Sequence, residues 1–253
     1  MPRLRDVGRA ALPIAATRAL EARRLFHERG LTDVSLREAF QAWLARVHLL
    51  PADLDLRDAT VVDLGANEGA FSAGVLAVAP RARVIAVEPG PAALARLRAR
   101  LGRYPNVEIR GAAVARESGT AAFHITGHDH GSSLQQPLSE SRAVVGAGAE
   151  VVETIEVPTL SLDDLVEDRA VDVLKIDVQG SELDVLRGGR GALARSRAVL
   201  LEMNFFSQYE GDATFDTLHA EMTGLGFQLV NVSPTLTQPD GTAIFIDGCY
   251  ARA

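Results

Sequence analysis

The stretch "VVDLGANEGAF", Val61 to Phe71, constrains this chain more than any other. An apolar run closes on Asp63 and Leu64, glycines follow at Gly65 and Gly69, and an apolar stretch without breakers takes over. A strand, a tight glycine turn and a helix in that order form a ligand cradle at the carboxyl end of a doubly wound sheet. The texture beyond it agrees. "TVVDL", "RVIAVE", "VDVLKID" and "AVLLEM" are nearly continuous in apolar residues, as strands are when helices cover both faces of a parallel sheet.

The expectation is an α/β fold: a doubly wound, mostly parallel seven-stranded sheet of the Rossmann-like kind. Strands are predicted at 60–64, 83–87, 107–112, 171–176, 197–202, 227–232 and 242–248, and helices near 69–79, 91–102, 180–190 and 213–225. The last two strands flank a short Pro/Asp/Gly loop with no room for a crossover helix, so they should run antiparallel. Residues 113–165 form an insertion after the third strand. There "GTAAFHI" and "ETIEVPTLSLDDL" read as extra strands around a polar, glycine-rich loop.

Residues 1–57 read as a helical extension to a domain at 58–253. "TRALEARRLFHERG" has helical spacing and stops at Gly30; in "SLREAFQAWLARVHLL", Ser35 and Glu38 make a capping-box pattern before Pro51. Such helices could serve as a lid or as the surface of a homodimer.

A net charge of -7 argues against broad adhesion to nucleic acid or anionic membrane. No run approaches the roughly 18 apolar residues of a membrane helix, and the arginine-rich N-terminus lacks a signal-peptide core. The single cysteine, Cys249, rules out an intrachain disulfide framework and fits a cytoplasmic location and a buried, unreactive thiol.

Which ligand the turn holds follows from what it lacks. No Gly-Lys-Ser/Thr follows, so it is no phosphate-binding Walker loop. The dinucleotide fingerprint needs a second glycine where this chain has Asn67, with Glu68 beside it. Asp63 and Glu68 would repel a pyrophosphate yet suit a ligand bearing an ammonium and a sulfonium, as S-adenosylmethionine does. "VIAVEPGP" ends the second strand on Glu88, 23 residues after Gly65, where a carboxylate can accept both ribose hydroxyls.

Several stretches together carry a resemblance: "VVDLGANEGAFS", "VIAVEPGPAALARLRARL", "VEIRGAAVARESGTAAFHI", "HGSSL", "VPTLSLDDL", "DVLKIDVQGSELDVLRGG" and "LLEMN". In this order and spacing, over about residues 58–250, they resemble the FkbM family of S-adenosylmethionine-dependent methyltransferases. The resemblance implies a class I methyltransferase fold and O-methylation of a hydroxyl on a sugar, polyketide or other natural-product small molecule, leaving S-adenosylhomocysteine. By motif position it implies that Asp63, Gly65, Ala66, Asn67 and Gly69 cradle the methionine part, Glu88 with Pro89 the ribose, and Ala112 and Ala113 the adenine, with Ser132 and Ser133 shaping the pocket. Gln179 departs from the family, whose members commonly have glutamate there. Two other readings stay open: a non-catalytic protein that keeps the cofactor fold as a binding module, and a nicotinamide-dependent oxidoreductase.

Methyl transfer to an alcohol requires a positioned acceptor and a base at the strand ends beside the cofactor. Asp177, which could also touch the cofactor, and Glu202 are the candidates at strand ends, and Glu182 is one in the first turn of the helix after Asp177; His128 and His130 are the candidates in the insertion. The His-x-His spacing is compatible with a divalent metal without calling for one. Lys175, the single lysine, shares its side of an apolar strand with Asp177, so it must be paired, with Asp63 or Glu202 as potential partners.

Overall fold

The structure is a computed structural model and describes residues 14–127, 131–139, 150–238 and 240–252. Two helices, α1 (Ile14–Glu28) and α2 (Leu36–Leu44), precede the sheet. The α2 capping box forms as expected: Ser35 Oγ accepts from Glu38 N at 3.2 Å, and Ser35 N donates to Glu38 Oε2 at 2.8 Å. Then follow β1 (Thr60–Leu64), α3 (Ala70–Val78), β2 (Arg83–Val87), α4 (Pro91–Leu101) and β3 (Val107–Arg110). The insertion contributes β4 (Ala113–Ala115), β5 (Gly119–Thr126) and β6 (Val151–Ser161). The chain returns through α5 (Leu162–Val166), β7 (Val171–Ile176), α6 (Glu182–Arg187), α7 (Arg190–Ala194), β8 (Ser196–Asn204) and α8 (Phe215–Gly224). It ends in β9 (Phe227–Val232), β10 (Leu236–Thr237) and β11 (Ala243–Arg252).

The main sheet runs β10-β11-β8-β7-β1-β2-β3, with β9 paired to β11. Five strands, β3, β2, β1, β7 and β8, pair in parallel, and β11 runs antiparallel to both β8 and β9. Seven strands were expected. The two-residue β10 makes an eighth by pairing with the first part of β11, while β9 pairs with the last part.

The last strand runs on to Arg252, and three further differences from the sequence reading have local causes. The third strand stops at Arg110, because Ala113–Ala115 leave the main sheet to pair in parallel with β6. The helix expected at 180–190 breaks at Gly188-Gly189 into α6 and α7. "SLDDL" leaves β6 as the capped helix α5, with Ser161 Oγ accepting from Asp164 N at 3.0 Å.

The helical extension shares the core of the domain. Phe26, Ala39, Ala42, Val47 and Leu49 form one buried cluster with Phe71, Val75, Val61 and Val173. Each large apolar side chain buried this way contributes about 1.5–3 kcal/mol. Helix α2 approaches α3 at Gly74, where a β-carbon would sit 2.6 Å from Ala45 Cβ. This close crossing brings residues 44–46 to the carboxyl end of the sheet. Cys249 is fully buried, and burial pushes its thiol up to about 12. Among the described residues no helix is long and apolar enough to cross a membrane.

Candidate active site

In sequence order the chain adds β2 and β3 on one side of β1 and later β7 and β8 on the other, so the crossover direction reverses at β1. Ligands of open α/β sheets bind outside the carboxyl ends of strands at such a point. A cavity of about 620 Å³ opens there.

One half of its wall is the glycine turn. Ala66 N donates to Val87 O at 2.9 Å, which ties the turn to the end of β2. Gly65 has φ +67, and a β-carbon there would lie 1.8 Å from the Asp177 carbonyl oxygen. Only glycine permits that approach. Asn67 also takes a left-handed conformation, φ +48. Glu88 is 7 % exposed; its Oε2 accepts from Asn67 N and its Oε1 from Gly90 N, both at 2.8 Å. Burial raises its carboxyl above the ordinary range, opposed by those two N–H groups. Gly65, Asn67, Glu88, Pro89, Ala112, Ala113 and Ser132 all line the cavity.

Four residues of the expected cofactor set lie elsewhere. Asp63 is fully buried beneath the turn, where Ser72 Oγ donates to its Oδ2 at 2.6 Å and Lys175 Nζ stands 3.2 Å from its Oδ1. It reaches the turn through Lys175, whose Nζ donates to Gly65 O at 3.1 Å. Ala66 is buried within the turn, and Gly69 caps α3 against Leu97 and Leu101. Ser133 is buried and donates to the Gln179 carbonyl. Glu68 faces Arg96 and Arg100 on α4, each at 3.8 Å, so its charge is spent away from the cavity wall.

The other half of the wall is charged and assembled from distant parts of the chain. Asp177, just past β7, accepts from Gln179 Nε2 at 2.8 Å and lies 3.4 Å from Lys175 Nζ and 3.5 Å from Arg46 Nη1. Burial opposes its ionisation, but Lys175 and Arg46 outweigh burial and hold the carboxyl below the usual range. Glu202, near the end of β8, accepts from the same Gln179 Nε2 at 3.0 Å. Burial, with Asp177 and Asp247 nearby, pushes Glu202 well above the usual range. The two carboxyls thus share a donor and are shifted in opposite directions.

Gln179 has φ +57, and its Oε1 accepts from the Tyr209 hydroxyl at 2.8 Å. Its amide therefore supplies a donor between two acids where the family commonly has another carboxylate. Glu182 is turned from the cavity: it accepts from Val178 N at 3.0 Å and Gly180 N at 2.9 Å, clamping the loop that carries Asp177 and Gln179. Burial pushes Glu182 up to about 7. Lys175 is buried in ion pairs with Asp63 and Asp177, with Leu200 rather than Glu202 as its β8 partner.

The sequence reading did not find Arg46, Asp247 and Gln208. Arg46 follows α2 with φ +66 and points its guanidinium at three acids: Asp247 at 2.6 Å, Asp177 at 3.5 Å and Glu202 at 3.9 Å. Asp247 lies in β11, and Gln208 donates to Asn204 Oδ1 from the loop after β8. One signal was available: Asp247 sits within the apolar "AIFIDGCY", and a buried acid demands a partner. His128 and His130 lie outside the described residues. Among the described residues no three or more His, Cys, Asp and Glu side chains gather as a metal site.

The methyltransferase FkbM domain model matches residues 63–229. The chain is 30% identical over 171 residues to 2-O-methyltransferase NoeI of Sinorhizobium fredii, covering 62% of this chain and 68% of that protein. It is 32% identical over 180 residues to AMB antimetabolite synthetase AmbE of Pseudomonas aeruginosa, covering 58% of this chain and 8% of that one. Among solved structures, precorrin-6y C5,15-methyltransferase of Geobacter metallireducens superposes with a TM-score of 0.47 at 16% identity, over 83% of this chain and 88% of that one. With its motifs matched across two thirds of its length, the chain belongs to the FkbM family of S-adenosylmethionine-dependent methyltransferases.

Proposed function

We propose that this protein methylates a hydroxyl oxygen on a sugar, polyketide or other natural-product small molecule. The observation that carries the reading is Asp177: a carboxylate held ionised by two cations, in the same cavity wall as Gly65 and Glu88. A relative named as a 2-O-methyltransferase supports transfer to oxygen.

The turn fits S-adenosylmethionine. Gly65 lets the turn pack directly on the Asp177 backbone, so that both line one cavity, and the buried Glu88 carboxylate in that cavity suits paired ribose hydroxyls. Bound there, the cofactor supplies a methyl group already activated by a sulfonium. The protein's own work is to orient the acceptor, exclude water and take one proton. Asp177 receives that proton at a carboxylate oxygen. Glu202 lines the same wall and offers its carboxyl to the acceptor as a hydrogen-bonding group, and the apolar Ile244 and Phe245 shield the site from water.

Methyl-labelled S-adenosylmethionine, incubated with the protein and a panel of hydroxylated acceptors, tests the reading. Label should move to a hydroxyl oxygen and Asp177→Asn should stop it. A protein that is stabilised by S-adenosylhomocysteine yet labels nothing in the panel would favour a non-catalytic cofactor-binding module.

A further inference from the structure

Arg46 lies outside the family match and belongs to the helical extension, yet it sits at the focus of the acid wall. Its three guanidinium nitrogens face three carboxyls from three separate segments of the chain: Nε to Asp247, Nη1 to Asp177 and Nη2 to Glu202. Its backbone is left-handed, a conformation that costs a non-glycine residue roughly 1–2 kcal/mol. Three of the four such residues described, Arg46, Asn67 and Gln179, line this one cavity. Strain of that kind persists where surrounding contacts over-determine it.

We infer that Arg46 is a positioning residue for Asp177, through which the helical extension takes part in methyl transfer as well as covering the sheet. The inference rests on the reading of Asp177 as the base. The planar fork of a guanidinium holds several carboxylates at fixed angles, which a point charge does not. Without it, Asp177 and Asp247 would stand near each other as like charges with no guanidinium between them. Besides Arg46, the groups that bear on Asp177 are Lys175 on β7, which Asp63 on β1 shares, Glu182 on α6, Glu202 on β8, Tyr209 in the following loop and Asp247 on β11. Of these only Lys175 is cationic. Its ammonium is divided between Asp63, Asp177 and the turn carbonyls, so Arg46 alone reaches all three wall acids.

A bland strap that fastens the extension to the domain would use the same contacts, and the two roles separate by experiment. R46G suits the left-handed backbone and deletes the guanidinium; R46K keeps the charge. In protein labelled with carboxyl-carbon-13 aspartate and saturated with S-adenosylhomocysteine, the Asp177 signal, assigned by its loss in D177N, is titrated by NMR. R46G should raise its midpoint by about one pH unit or more, and R46K should restore at least half of that shift. For an acceptor the parent turns over, R46G should lower kcat roughly 100-fold, with the KM for S-adenosylmethionine within about twofold and the acid limb of the pH profile moved up. Should R46G fail to fold, R46Q carries the same comparison. An Asp177 titration unchanged in folded R46G or R46Q overturns the proposal. A parent that methylates no acceptor defeats the base reading alone, because the titration still reports on Arg46.

Discussion

The two halves of the cavity are built in opposite ways. The glycine-turn half is local and made largely from backbone: Gly65, Asn67 and Glu88 fall within 24 residues, and the Glu88 carboxylate is held by two main-chain N–H groups. The acid half is non-local and made from side chains: Arg46, Asp177, Glu202 and Asp247 span 202 residues and meet only through charge and a shared amide. Backbone can hold what every member of a family must bind, whereas side chains gathered from far apart can be exchanged to suit an acceptor.

Substitutions that strike one half and spare the other put this contrast at risk. Asp177→Asn should have the largest effect, lowering methyl transfer about 10²- to 10⁴-fold while the affinity for S-adenosylhomocysteine stays within about threefold. Calorimetric titration beside a label-transfer assay checks both; a large loss of affinity would merge the two halves. Gly65→Ala tests where they touch, since its β-carbon would collide with the Asp177 carbonyl from a positive φ. It should cost about 3 kcal/mol, a fall of roughly 6–12 °C in the thermal midpoint.

Glu88→Ala should weaken S-adenosylhomocysteine about 10- to 100-fold and leave kcat at saturating cofactor little changed. An affinity equal to the parent's would remove Glu88 from the cofactor seat. The smallest effect concerns Glu182, raised by burial to about 7 in the fold from an ordinary 4.5. Because the folded form holds this proton longer, its contribution is complete below about pH 4.5 and is lost as pH rises through about 7. Between pH 5 and 8 the parent should therefore lose about 2 kcal/mol more stability than Glu182→Gln, measured by denaturant unfolding at each pH.

The same contrast explains what the sequence disclosed. The turn, the ordering of strands and Glu88 follow from short-range pattern, which survives without knowledge of tertiary contacts. Asp177 and Glu202 could be nominated because strand ends of a doubly wound sheet converge. Asp63 and Glu68 were misplaced toward the ligand because spacing along the chain does not reveal which way an acid turns: Asp63 is sealed by Ser72 and Lys175, and Glu68 faces α4. Glu182 was nominated in the first turn of its helix and stands there, yet its oxygens are consumed by the backbone of the preceding loop. Arg46 carried no local signal, for its role depends on how closely α2 crosses α3 at Gly74.

The residues that match the family end before Asp247 and begin after Arg46. That matched stretch is consequently a poor unit for recombination. Spliced into another protein, it would bring the turn, Glu88, Asp177 and Glu202, but it would bare Phe71 and Val75 and leave two acids of the wall without their guanidinium. The portable piece of this enzyme has to be drawn from the first helix to the last strand.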